Sequence, residues 1–146
     1  MSEPGRPLPL PDADSAPFWE ACARGELVMQ RCAQCQALRF PPRPMCPRCR
    51  SLESAWSRVS GRGVVYSFVV CHPPVLAAFR SRVPYPVVLI ALAEDPTLRL
   101  VGGLEGCAPE ALRIGLPVAV RFEQAAEDVW LPLWRPADPA SGASQP

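Results

Sequence analysis

The chain has 146 residues, 49% of them hydrophobic, a formal net charge of +1, and no lysine among its 15 basic residues. That length supports one domain or two small modules, and the near-neutral balance removes any global attraction to nucleic acid. The missing lysine excludes Schiff-base and lysine-base chemistry, and no apolar run of about 18 residues is present to span a membrane.

Residues 1–14 are rich in proline and polar side chains and are expected to be disordered. SAPFWEACAR reads as a helix within a 15–26 segment, with Ser15 as cap, Pro17 in the first turn and Gly25 as terminator. Its stripe of Phe18, Trp19, Cys22 and Ala23 must dock on its own domain or on a partner, because a helix this short is marginal alone. Phe18 and Trp19 are therefore the candidate partner-docking residues. Cys22 reads as a small buried hydrophobe.

Residues 27–58 hold the strongest motif: Cys32-Ala-Gln-Cys35, ten residues, then Cys46-Pro-Arg-Cys49. Two CxxC turns joined by a hairpin-length spacer place four thiolates around one tetrahedral ion, as in structural Zn²⁺ sites. The spacer is shorter than that of the commonest double-CxxC pattern, so a compact zinc ribbon is expected. Seven cysteines is an odd number, and MSEPGRPLPLPDADS has no apolar h-region. Both facts disfavour disulfides and suit a cytoplasmic protein. Iron in a rubredoxin-like site is the competing metal, weakened by Gln36 and Arg50 where such turns often carry glycine. Strands LVMQR and AWSRV enter and leave the ribbon. Arg31, Arg39, Arg43, Arg48 and Arg50 crowd the cysteines, either offsetting the negative charge of the metal–thiolate centre or forming a contact surface.

Residues 59–136 read as β structure. GRGVVYSFVVC alternates, placing Val64, Tyr66, Phe68 and Val70 on one face, which looks like core, and Val65, Ser67, Val69 and Cys71 on the other. Gly61 and Gly63 suggest a bend or bulge. PVVLIALAE and LRLVGGLE follow as strands, APEALRIG as a short helix, and PVAVRFEQ as a last strand before a meandering C-terminus. This order fits a small Greek-key barrel of OB type. Residues 137–146 are expected to be a disordered tail. The fold class is thus mainly β: a helix, a rubredoxin-like zinc ribbon and an OB-fold barrel.

The segments FWEACARGELVMQRCAQC, FPPRPMCPRC, SGRGVVYSFVV, PYPVVLIAL, RIGLPVAVRFE and LPLWRP span roughly residues 18–136. Together they resemble the family catalogued as domain of unknown function thirty-five. The resemblance implies that Cys32, Cys35, Cys46 and Cys49 bind zinc. It also implies a role in acyl-CoA metabolism, on the lipid or polyketide side. Members accompany thiolase-like enzymes, acyl-CoA hydratases or retro-aldolases as separate or fused chains, complete the partner's assembly and in some cases shape its CoA channel. The partner supplies the catalytic cysteine and histidines, so this chain is expected to be no enzyme on its own. The missing knuckle glycines put the metal's identity in question.

Cys71 and His72 are adjacent on a strand, point to opposite faces and cannot readily form a dyad. No triad or paired-carboxylate arrangement is legible. The loop HPPVLAAFRSRVPYP lies between strong strands, where long loops tend to carry function. It contributes His72, Arg80 and Arg82 as candidate ligand-binding residues, the arginines suiting the phosphates of CoA; its apolar residues equally suit packing on the barrel or on a partner. The alternative function is single-stranded nucleic-acid binding through stacking on Tyr66 and Phe68, disfavoured by the charge balance and by the core-like pattern of that face.

Overall fold

The computed structural model describes residues 5–138. The disorder expected for residues 1–4 and for the tail from residue 139 lies outside the described residues. Residues 5–12 have no regular secondary structure, yet Arg6 pairs with Glu123 of the last hairpin at 2.8 Å. Among the described residues, no helix is long and apolar enough to cross a membrane.

Helix α1 spans Ala16–Ala23 with a proline in its first turn. The Ser15 hydroxyl makes no cap; it bonds Asp12 Oδ1 instead, tightening the preceding turn. Gly25, at φ +74, ends the helix as read from the sequence. Phe18, Ala21 and Cys22 are buried, and α1 lies mainly on the last strand of the chain. Burial pushes the Cys22 thiol up to about 12, the signature of a cysteine acting as a hydrophobe.

The ribbon is a three-stranded antiparallel sheet of β1 (Val28–Cys32), β2 (Leu38–Arg39) and β3 (Ser54–Arg58), in the order β2-β1-β3. The second sheet contains β4 (Arg62–Cys71), β5 (Tyr85–Leu92), β6 (Arg99–Gly103), β7 (Pro117–Ala126) and β8 (Val129–Pro136). Its order is β6-β5-β4-β7-β8, a meander and a hairpin joined through β4. It does not close into the expected barrel. The edges β6 and β8 meet at one parallel bridge, Leu104 with Trp134, and at Glu105 N–H donating to Trp134 O at 2.9 Å. Pro132 and Pro136 of β8 have no N–H to extend a ladder, and the Trp134 indole fills the gap against Gly102.

Three other expectations change. β8 replaces the expected meander. The expected helix near residue 110 is a single 3-10 turn, Pro109–Ala111. In β4 the register shifts between Val65 and Ser67. This bulge reverses the alternation, so Val65 is buried, Phe68 packs half-buried against the core, and Tyr66 is 45% exposed. The face that looked like core is therefore split between core and solvent. Val118, Val120 and Phe122 of β7 do contribute to the core, as their alternation indicates.

One apolar cluster joins all three parts: Phe18 and Cys22 from α1, Leu27, Val28 and Met29 from the ribbon, and Val65, Ile90, Val118 and Trp134 from the curled sheet. Gly61, at φ +72, and Gly63 make its tightest approaches. A Cβ at Gly63 would fall inside van der Waals contact of the Ala91 carbonyl, a backbone atom that cannot rotate away. Gly63→Ala should lower stability by about 1–3 kcal/mol, the range for overpacking, read as a lower thermal midpoint. Gly103→Ala, whose Cβ would meet only Leu133 Cδ2 at 3.5 Å, should change the midpoint far less.

Candidate metal centre and apolar cleft

The two CxxC turns are near copies. In the first, Gln36 N–H donates to Cys32 O at 3.1 Å and Cys32 N–H to Ala37 O at 3.0 Å; in the second, Arg50 N–H donates to Cys46 O and Cys46 N–H to Ser51 O, both at 2.9 Å. Each turn ends in the left-handed region, with φ 60 at Gln36 and φ 64 at Arg50. Those are the positions glycine would relax, and both carry side chains. Gln36 Nε2 donates to Ala33 O at 3.0 Å, and Arg31 Nη1 to Gln36 O at 3.0 Å, which help to hold the first turn.

Folding the turns together brings the Sγ atoms of Cys32, Cys35, Cys46 and Cys49 within 4.8 Å of one another. Cys32 and Cys49 are 3.5 Å apart and Cys35 and Cys46 3.6 Å. These separations are far longer than a disulfide bond. They lie just under the sulfur–sulfur edge of about 3.8 Å that a tetrahedron of 2.3 Å bonds requires. The donor set suits a four-sulfur metal site; Cys32 and Cys46 are buried and Cys35 and Cys49 exposed. The turn amides prepare it: the Cys35 amide leads in lowering Cys32 to about 6, and the Cys49 amide leads in lowering Cys46. Cys35 moves oppositely, to about 11; the Ala37 amide draws it down, but burial and the neighbouring thiols outweigh that. A cation at the centre would relieve this crowding of thiolates.

Among the arginines around the centre, Arg39 is buried within the ribbon. Its Nε donates to Gln30 Oε1 at 2.8 Å and its Nη2 to Arg43 O at 3.1 Å, while Nη1 has no partner among the described residues. Gln30 Oε1 also accepts from Arg43 N–H at 2.8 Å. Arg43, Arg48 and Arg50 are exposed.

A separate cleft of about 680 Å³ opens where β6 and β8 fail to pair. Trp19, Phe79, Tyr85, Leu131 and Leu133 form apolar walls, and Arg6, Arg82 and Glu105 bring charge to it. Arg121 bridges Glu105 at 3.1 Å and Glu123 at 3.2 Å. Burial acts to raise Glu123, but the bond from Arg6 and the charges of Arg6, Arg82 and Arg121 hold it below the usual carboxylate range. Such a cleft suits an extended amphipathic molecule with an anionic end.

Of the candidate ligand residues, Arg82 lines this cleft, whereas Arg80 and His72 are exposed and do not. The long loop folds as a 3-10 turn, Ala77–Arg82, seated on β5 by Phe79 and Tyr85 with rings 5.6 Å apart. Cys71 pairs across the ladder with Tyr85, away from any dyad with His72. Phe18, named with Trp19 for docking, is instead 3% exposed; it contacts Phe40 and Trp19 inside the chain. Trp19 is half-buried on the cleft wall. Sequence reading missed Arg6, Tyr85, Leu131 and Leu133. Arg6 sits in a stretch that looks disordered, and the leucines lie in a strand masked by prolines.

Two outcomes follow. Cys35→Ser and Cys49→Ser should each abolish retention of one metal equivalent by metal analysis, while Cys71→Ser and Cys107→Ser retain it. Gln36→Gly or Arg50→Gly should keep the metal and raise the melting midpoint, since a side chain in the left-handed region costs on the order of 1 kcal/mol.

Two family models match the chain: the rubredoxin-like zinc ribbon domain of ChsH2 over residues 19–54 and the C-terminal OB-fold domain of ChsH2 over residues 56–123. A probable enoyl-CoA hydratase alpha subunit of Thermomonospora curvata is 42% identical over 134 residues, covering 92% of this chain. The chain spans only 41% of that protein. Among solved structures, a chain of the Ltp2-ChsH2(DUF35) aldolase superposes with a TM-score of 0.81 at 41% identity, covering 88% of this chain and 98% of that one. A DUF35 domain-containing scaffold protein of Methanocaldococcus jannaschii is 35% identical over 103 residues, 70% of this chain and 71% of its own length. On these matches, the chain belongs to the DUF35 family of zinc-ribbon and OB-fold proteins.

Proposed function

We propose that this chain is an accessory subunit of an acyl-CoA enzyme, a hydratase, a retro-aldolase or a thiolase-like enzyme, and that its cleft takes part of the acyl-CoA. The observation that carries this reading is the match to nearly the whole length of a chain of the Ltp2-ChsH2(DUF35) aldolase. The cleft supports it chemically: the apolar walls suit an acyl or pantetheine arm, and Arg82 suits a phosphate or carboxylate.

The metal is zinc, held by Cys32, Cys35, Cys46 and Cys49. Four sulfur ligands close the coordination sphere, so the ion cross-links the ribbon and offers no position to substrate. Thiolates kept reduced suit the cytoplasm. Nucleic acid is the weaker reading. Tyr66 is exposed, but the Arg99 guanidinium lies over its ring at 3.5 Å, and Phe68 packs against the core.

The test is purification of the tagged full chain from its native host, with identification and quantification of what accompanies it. The expected result is a colourless protein with one zinc, in fixed ratio with an acyl-CoA hydratase, retro-aldolase or thiolase-like enzyme. Arg82→Glu should weaken acyl-CoA binding to that complex by about tenfold, the value of one charge-assisted contact, measured at concentrations that keep the complex assembled. Visible iron–thiolate absorbance would overturn the metal assignment. Salt-sensitive binding of a single-stranded oligonucleotide, without any acyl-CoA enzyme, would overturn the function.

A further inference from the structure

Apart from Ser67 and Arg99, the outward face of β4, β5 and β6 is apolar where an open antiparallel sheet normally turns polar side chains to water. Cross-strand partners share a face, and the ladder sets Val69 beside Val87, Leu89 beside Val101, and Val64 beside Ala91 and then Arg99. Val69 is 59% and Val101 68% exposed. Tyr66, put outside by the bulge, stands on the same face beneath Arg99. A contiguous exposed apolar surface of this kind marks an interaction site.

Charge identifies what covers it. From residue 54 to 93 the sequence has no aspartate or glutamate, while the sheet and its loop carry Arg62, Arg80 and Arg82; Glu94 and Asp95 follow in the β5–β6 turn, where they bond Ser60 and Thr97. Arg80 and Arg82 sit on the 3-10 turn seated against Tyr85, at one end of the face, and neither forms an ion pair among the described residues. Arg99 stands toward the other end. The pattern is an apolar centre with a cationic margin, which calls for an apolar patch edged by carboxylates. A second copy would bring the same arginines against these. Nucleic acid would meet mainly aliphatic side chains, and the Tyr66 ring is already covered by the Arg99 guanidinium. Helix α1 is not available for the purpose, since its apolar side is buried on its own chain.

We propose that this three-stranded face is the docking surface for the partner enzyme, meeting an apolar, carboxylate-edged patch on it. The proposal rests on the reading of the chain as an enzyme subunit. It sets two surfaces side by side: the seam between β6 and β8 takes ligand and the face beside it takes protein, with Val87, Val101 and Arg82 bordering both and Val69 lying outside the cleft.

The test uses the acyl-CoA enzyme identified with the full chain, purified and titrated against wild-type chain and against Val69→Glu, Val101→Glu and Ile114→Glu. Ile114 is an equally exposed residue in the turn before β7. All variants are first checked for wild-type metal content and melting. Expected are losses of at least about tenfold for Val69→Glu and Val101→Glu, since each buries an unpaired carboxylate, with Ile114→Glu unchanged. Arg80→Glu should also weaken binding and flatten its salt dependence. Full-strength binding by both valine variants overturns the docking face while leaving the subunit reading intact. A wild-type chain that binds no acyl-CoA enzyme overturns both. A chain that dimerises through this face, with the dimer lost in Val69→Glu, overturns the proposal in favour of a second copy.

Discussion

The structure depends on one shared apolar core, because none of its three parts can bury enough surface alone. An eight-residue helix is below the length at which helices persist in water. A ribbon of three short strands has almost no interior. The curled sheet leaves its edges β6 and β8 nearly unjoined. Phe18 closes the arrangement by touching the ribbon's Phe40 with ring centroids 5.3 Å apart while lying on the helix that covers β8. Met29 and Trp134, both fully buried, fill the space between. Strand β1 then carries the consequence outward: its first residues sit in the core and its last, Cys32, belongs to the four-cysteine cluster. The knuckles are thus anchored through one strand at their base, and a metal bound by their sulfurs would tie their tips.

Gln30 is the polar midpoint of that strand. Its carbonyl oxygen accepts from Arg39 on β2 and from the Arg43 amide on the arm leading to Cys46. One buried oxygen therefore ties three segments of the ribbon between the core and the metal. Burying a guanidinium without a carboxylate is costly, and Arg39 leaves one nitrogen unpaired. The gain is positional: the two hydrogen bonds fix where the second knuckle begins, which loose apolar packing would not.

How much of this was legible follows from how local each feature is. The clustering of Cys32, Cys35, Cys46 and Cys49 was legible because CxxC spacing writes the turn directly into the chain. Even the turns without glycine kept their left-handed residue, at Gln36 and Arg50. The strands were legible as apolar runs, and Cys22 as a core residue. The inside and outside of β4 were not, since one extra residue at the bulge inverts every later side chain. Strand β8 was hidden by Pro132 and Pro136, which an edge strand tolerates when its pairing comes from one side. The cleft was illegible for a different reason. Its walls come from the N-terminal segment, α1, the 3-10 turn, β5, β6 and β8, and no local pattern reports a juxtaposition of six segments.

That assembly also explains how a metal site and a cleft that share no residue belong to one device. A closed four-sulfur centre cannot touch a ligand, so whatever it contributes must pass through packing. The contiguous path is aromatic. Phe40 leaves β2 of the ribbon, Phe18 meets it, and Trp19 stands edge-on to Phe18 at 5.0 Å before forming the cleft wall. Interiors are packed densely enough that a displaced ring moves its neighbour. Any loosening of the ribbon would act on Phe40, and Phe18, 3% exposed, lies against it. A metal held by the four cysteines would therefore act through packing on the shape of a surface it never reaches.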